Sequence, residues 1–137
     1  MKEKKKKILQ NNRGITGIDL AVSLIVATIF IGLLTGLMTN IYKTSLEIQK
    51  SANAMAYATI ILEKVDEKAY EQVTEDFITT LGDEVSLDTT NYQFSLSVIP
   101  IEELEDDIIK KVELRVRYTI NGEEKTMIIS KLKIREL

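Results

Sequence analysis

The sequence contains no cysteine and no histidine, and its single proline is Pro100. Without cysteine the chain forms no disulfide, no thiolate nucleophile and no thiolate metal site. Without histidine it lacks the commonest general base and the commonest metal ligand. Because proline is absent before residue 100, one long and uninterrupted helix is allowed in the first part of the chain.

Motifs of catalysis and cofactor binding are also missing. The chain has no G-x-S-x-G element, no P-loop and no dinucleotide-binding fingerprint. Its 137 residues suffice for one small domain with one core. These absences predict a protein that is not an enzyme and that binds no metal and no cofactor.

Charge is segregated along the sequence. Residues 1–14 hold six of the 18 Lys and Arg residues but one of the 21 Asp and Glu residues. The remaining residues carry twelve positive and twenty negative charges, a net charge of about −8. Such a balance repels phosphates, so we expect no direct nucleic-acid binding by this part of the chain. A basic segment this distinct indicates a tail with a separate role.

An uncharged run extends from Leu20 to Tyr42. At 1.5 Å per residue a helix of this length measures about 35 Å, enough to cross a bilayer. Cations precede the run more densely than they follow it, which predicts a cytoplasmic N-terminus and an exported C-terminal part. An ordinary secretory signal peptide has a shorter apolar region and a small-x-small cleavage site. A plain signal anchor is the simplest alternative.

The residues before this run form a pattern of their own. Arg13-Gly14 stands ahead of the apolar segment, and an acid, Asp19, follows at the fifth position after the glycine. Asp19 is the only charged residue in the range 15–42. An acid at the edge of a membrane span is energetically unfavourable and indicates a function.

In these residues the chain resembles the type IV pilin and pseudopilin family. The resemblance implies that a prepilin peptidase cleaves between Gly14 and Ile15, and that the new Ile15 amine becomes N-methylated. It also implies that Asp19 takes the part of the family's glutamate, which offsets a neighbouring subunit's terminal amine. Three positions differ from the usual pattern: Ile15 replaces Phe or Met, Gly17 replaces an apolar residue, and Asp19 is one methylene shorter than glutamate.

The predicted organisation has three parts: a cytoplasmic leader over 1–14, a transmembrane and filament-core helix over 15–42, and an exported domain over 43–137. Within the span, Gly32 and Gly36 form a G-x-x-x-G pattern. This pattern indicates either a helix-pair contact or the general abundance of glycine in membrane helices.

An apolar stripe of helical period predicts that the helix continues over 43–73 and packs on a sheet. A coiled coil with a partner is the alternative. The stripe comprises Ile41, Ile48, Ala52, Met55, Ala58, Leu62, Val65, Ala69 and Val73.

Alternation of apolar and polar residues predicts three strands after a connector over 74–91 that includes a short helix near 75–81. The strands cover about 92–99, 111–120 and 124–134, and Asn121-Gly122 predicts a hairpin between the last two. The expected fold is α+β, with the long helix packed on a small antiparallel meander.

Two hairpin registers remain open from the sequence. A two-residue turn pairs Val116 with Met127, and Leu114 with Ile129. A one-residue bulge instead turns Ile128 and Leu132 inward and sets Glu113 opposite Lys131; we expect the bulge, because it buries two large aliphatic side chains. Between the first two strands, the acidic residues 102–107 could bind a cation, but a solvated loop is the better interpretation since the calcium-loop pattern is absent.

The order of elements resembles that of minor pilins and of the I-type minor pseudopilin of type II secretion. The function expected is a structural subunit of a type IV pilus, a type II secretion filament or a competence (DNA-uptake) filament, located in the plasma membrane. The resemblance implies four partners: prepilin peptidase, other pilin or pseudopilin subunits, the inner-membrane assembly platform and the lipid bilayer. The alternative is a single-pass, signal-anchored extracytoplasmic binding module with no role in a filament.

Overall fold

A computed structural model describes residues 17–101 and 108–136. A long helix, α1, covers Gly17–Glu67, and a short 3-10 turn follows at Tyr70–Gln72. A second helix, α2, covers Phe77–Leu81. Three strands complete the fold: β1 (Tyr92–Pro100), β2 (Ile109–Ile120) and β3 (Glu123–Ile134). The predicted α+β fold class is confirmed.

The chain divides into two compact units, Met1–Tyr42 and Lys43–Leu137. The described part of the first unit is helical throughout. The second unit contains the rest of α1, the connector and the sheet.

The sheet is an open antiparallel meander in the order β1-β2-β3. Asn121 and Gly122 connect β2 to β3 with positive φ angles of 50° and 82°. Positive φ at both central residues is the mark of a type I′ turn, whose twist matches that of the flanking strands.

The expected bulge in this hairpin is wrong. Val116 pairs with Met127 and Leu114 with Ile129, so the two-residue turn sets the register. Ile128 and Leu132 point to the open face, and Glu113 lies opposite Ser130 rather than Lys131. The reason is that the Asn-Gly turn satisfies the strand twist without an extra residue, while Met127 and Ile129 already supply apolar side chains to the core.

Helix α1 packs on the sheet through a stripe of small and branched side chains. Ala54, Ala58, Ile61 and Val65 are fully buried at spacings of four, three and four residues. The predicted stripe was correct at Ala58 and Val65, but Ile48 and Met55 remain 64% and 50% exposed. Three more members of the predicted stripe are also exposed: Ile41, Ala52 and Ala69. Ala54 and Ala58 fit into the core cluster at two consecutive turns of this interface, whereas the larger residues on the next face stay in solvent.

The helix ends earlier than predicted. We expected it to reach Val73, but α1 stops at Glu67 and Ala69 has extended backbone angles of φ −62° and ψ 153°. Val73 is still fully buried, because the 3-10 turn brings it back to the sheet. The Lys133 ammonium donates to the Asp66 carbonyl at 2.9 Å, which satisfies one of the carbonyls left open where the helix ends.

Aromatic side chains join the helix to the sheet at the other end of this interface. The Tyr57 ring contacts the rings of Tyr92 and Phe94 edge-on, at 5.3 and 5.8 Å between centroids. Tyr92 also contacts Tyr118 at 5.8 Å. Such offset or edge-on ring pairs add about 0.5–1.5 kcal/mol beyond their area burial.

The connector between α1 and β1 is anchored by its own apolar and polar contacts. Phe77 and Leu81 of α2 are buried in the same core as the sheet residues. Before β1, the carboxylate of Asp88 accepts hydrogen bonds from the backbone amides of Thr90 and Asn91, both at 3.1 Å, and from the Asn91 side chain at 2.8 Å. These bonds hold the pKa of Asp88 below its ordinary value of 3.8, chiefly through the Asn91 side chain.

Candidate membrane-anchoring site

The predicted processing residues lie outside the described part of the chain. Gly14 and Ile15 both precede Gly17, where the described helix begins. The predicted cleavage and N-methylation at these residues therefore stay predictions. The acidic residues 102–107 also lie outside the described ranges, and the same holds for the interpretation of that loop.

Asp19 lies in the first turn of α1. A carboxylate in this position interacts favourably with the unpaired amide groups at a helix N-terminus, by about 0.3–1 kcal/mol. The next ionisable side chain along the helix is that of Lys43. Asp19 thus stands at the start of a long apolar surface.

The part of α1 in the first unit exposes its apolar side chains on every side. Its large hydrophobic residues from Ile18 to Tyr42 are all at least 45% exposed. Within the described residues, α1 is the one helix long and apolar enough to cross a membrane. A signal sequence near an N-terminus would have the same length and composition. An all-round apolar helix with no buried face is suited to an apolar solvent or to contacts with other helices.

The threonine hydroxyls of this segment form hydrogen bonds within the helix itself. The hydroxyls of Thr28, Thr35 and Thr39 each donate to the carbonyl four residues earlier, at 2.8–2.9 Å. In a medium without water, an unsatisfied hydroxyl would be unfavourable by several kcal/mol. The threonines therefore allow this segment to lie in hydrocarbon.

Gly32 and Gly36 leave an open strip on the helix. A Cβ atom built at either position would meet no atom within 4 Å. Two such glycines one turn apart allow another helix backbone to approach closely. The two interpretations given above for this G-x-x-x-G pattern thus stay open.

The second unit contains a feature that the sequence interpretation missed. Lys110 is buried and donates hydrogen bonds to the backbone carbonyls of Tyr70 and Val73, the latter at 2.8 Å. Its ammonium group is therefore held against the turn that follows α1. The signal was present in the alternation of β2, because Lys110 belongs to the same period-two row as Val112 and Leu114.

Two shallow grooves lie near the end of α1. One, of about 330 Å³, is lined by Tyr70, Val73 and Lys110 together with β1 residues. Another, of about 410 Å³, lies between the end of α1 and the end of β3, and mainly charged residues line it. No group of three or more acidic side chains suited to a metal ion occurs within 17–101 and 108–136.

Comparison of the chain with protein-family models, with curated proteins and with solved structures finds no significant match.

Proposed function

We propose that this protein is a pilin-like or pseudopilin subunit, anchored in the plasma membrane by the first part of α1 and assembled into a filament through that helix. The observation that carries the proposal is the position of Asp19 in the first turn of α1, at the start of a segment, 17–42, whose large apolar side chains are all exposed. The basic Arg13-Gly14 pair lies five residues before it in the sequence.

The physical reasoning concerns two buried charges. After cleavage at Gly14, the Ile15 amine is a cation at the membrane edge, and Asp19 is an anion close by in sequence. Each charge in lipid is unfavourable alone, and each is stabilised when a neighbouring subunit supplies the opposite charge. Such pairing between subunits would align helices in a filament.

The processing step is tested by the N-terminal mass of the protein isolated from membranes with and without prepilin peptidase. With the peptidase we expect a mature chain that begins at Ile15 and carries a methylated amine. Gly14→Val should leave the leader attached, because the branched side chain does not fit where the family has glycine. Gly17→Val is the matched control, since Gly17 lies beyond the cleaved bond and a Cβ there meets no atom within 4 Å.

The same measurement discriminates the alternatives. Mature protein that begins beyond residue 40 would establish ordinary signal-peptide cleavage and refute the proposal. An intact N-terminus in cells that contain the peptidase would favour the anchored binding module with no filament role.

A further inference from the structure

The last strand of the sheet has an unpartnered edge. Within the described residues, β3 pairs with β2 alone. It runs for twelve residues, Glu123–Ile134, with no proline, glycine or bulge to interrupt it. A long, regular edge strand offers a row of backbone donors and acceptors to another strand.

One face of β3 carries aliphatic side chains that the fold leaves in solvent. Ile128, Leu132 and Ile134 point to the open side of the sheet and are 53%, 55% and 57% exposed. Their spacing places them on one face of the pleat, where they pack beside the side chains of an added strand. The open face thus favours aliphatic residues in such a strand.

The opposite row of β3 faces the core at its centre, through Met127 and Ile129. Its C-terminal end is basic, because Lys131, Lys133 and, just past the strand, Arg135 form a basic row there. Lys125 lies on the same face, before Met127. Three of these cations have a carboxylate nearby: Lys131 has Asp66, Lys125 has Glu123 at 3.7 Å, and Arg135 has Glu71 at 3.2 Å without hydrogen-bond geometry.

Lys133 is different, because within the described residues it bonds a backbone carbonyl and no carboxylate. This row therefore favours acidic residues in an added strand.

A second copy of this chain does not fit the edge. When two β3 strands pair antiparallel about a two-fold axis, any register that sets two of the exposed aliphatics opposite each other also sets two cations opposite each other. With Ile128 facing Leu132, for example, Lys125 faces Arg135. Like charges directly opposite across strands are destabilising.

We propose that the β3 edge binds an extended segment of another protein in which aliphatic and acidic residues alternate, by addition of that segment as a fourth strand. The aliphatic residues pack beside Ile128, Leu132 and Ile134, and the acidic residues lie beside the basic row. Backbone hydrogen bonds supply affinity, and the alternating side chains supply specificity. This inference is independent of cleavage at Gly14 and of filament assembly.

The test uses the full chain in detergent micelles and a fluorescently labelled, capped peptide of alternating valine and glutamate. Fluorescence anisotropy should show saturable binding. A peptide with lysine in place of glutamate should bind at least about tenfold more weakly, because like charges then face the basic row. A glutamate peptide N-methylated at alternate residues should bind about tenfold more weakly or worse, since it lacks backbone donors.

Matched variants of the protein locate the site. Leu132→Glu changes an exposed residue of β3 and should weaken binding about tenfold. Ile99→Glu is the control, because Ile99 lies in the same cross-strand row, on the same open face, but on the opposite edge strand. It should leave binding unchanged.

Several results would overturn the proposal. These are no binding of the valine-glutamate peptide, equal binding of the lysine or the N-methylated peptide, or an equal loss with Ile99→Glu and Leu132→Glu.

The cysteine-free sequence allows one more test. Ser130→Cys lies at the centre of the aliphatic row, and a disulfide-linked dimer of this variant would show that a second copy occupies the edge instead.

Discussion

The ammonium nitrogen of Lys110 lies 4.1 Å from the centre of the Tyr70 ring. Arg135 lies near the same ring, with its guanidinium carbon 4.8 Å from the ring centre. Lys110 also bonds two carbonyls, so a buried cation fastens the turn after α1 to β2. A desolvated cation over an aromatic face contributes about 2 kcal/mol. The end of the helix is therefore fixed by a polar contact within an otherwise apolar core.

Lys110→Met should destabilise the second unit, 43–137, by about 1–3 kcal/mol, because the carbonyls of Tyr70 and Val73 lose their donor in a buried place. Urea unfolding of the detergent-solubilised chain measures the change. Lys111→Met is the matched control, since Lys111 is half-exposed and forms a surface ion pair with Glu113. The control should lose no more than about 1 kcal/mol. Equal losses in the two variants would contradict the role of Lys110.

Ala58→Leu should destabilise the same unit by about 1–3 kcal/mol, because the helix and the sheet leave no space for a larger side chain at this fully buried position. Ala56→Leu, two residues earlier on an exposed face, should change stability by less than about 0.5 kcal/mol. The free energy of unfolding in urea again compares the two. Similar values for both variants would mean that α1 does not pack through the alanine stripe.

Gly122→Ala should lower stability by about 1–2 kcal/mol, since φ at this position is 82° and an L side chain is strained there. Gly82→Ala is the control, with φ −58° and ordinary contacts for the new methyl group. It should be neutral or stabilising by about 0.4–1 kcal/mol, through the unfolded chain. A tolerated Gly122→Ala would refute the type I′ turn and with it the observed register.

A fall in pH should remove the contribution of Asp88 to the stability of the fold. The pKa of this carboxyl is lowered in the folded chain, so its ionised form stabilises the fold above the ordinary pKa of 3.8. That stability is lost as the pH falls through and below this value. The difference in urea midpoint between the parent chain and Asp88→Asn should therefore be largest near neutral pH and shrink in acid. Asp83→Asn removes the charge of an exposed acid in the same connector and is the control. If the difference in urea midpoint between the parent chain and Asp88→Asn grows in acid, the stabilising role of the ionised Asp88 is contradicted.

Asp19→Asn should leave processing and membrane level unchanged but reduce incorporation into filaments, because the neutral amide cannot offset a subunit's terminal amine. Cross-linking of membrane extracts to partner pilins measures incorporation. Asp19→Glu, which restores the family residue, is the control and should assemble normally. If Asp19→Asn cross-links as well as the parent chain, the acid merely caps the helix.

The sequence predicted the strands well because alternation is clear in β1 and β2, where every polar residue except Lys110 faces the open side. It predicted the helix phase poorly. Two apolar stripes lie on neighbouring faces of α1, one with Ile48 and Met55 and one with Ala54 and Ile61, and hydrophobicity favours the wrong one. The structure buries the alanine stripe. A periodicity alone does not show which of two neighbouring stripes faces the sheet.

The hairpin register was ambiguous for a related reason. Strand β3 has aliphatic residues on both rows of its pleat. Hydrophobicity therefore does not discriminate burial of Ile128 and Leu132 from burial of Met127 and Ile129. The geometry of the Asn121-Gly122 turn determines the register. For the candidate site, the sequence supplied Asp19, Gly32 and Gly36 through motif and spacing. The contacts of Lys110 depend on residues about forty positions apart, which no local pattern indicates.

The tyrosine cluster also gives the protein a built-in optical reporter. The chain has no tryptophan and five tyrosines, so its near-ultraviolet signal comes chiefly from tyrosine. Tyr57 on the helix lies edge-on to Tyr92 on β1, and Tyr92 contacts Tyr118 on β2. Chiral packing of these rings exists only while the helix is docked on the sheet, whereas backbone signals survive in loosely packed states. Near-ultraviolet circular dichroism of the unlabelled protein therefore follows the docking of α1 on the sheet directly.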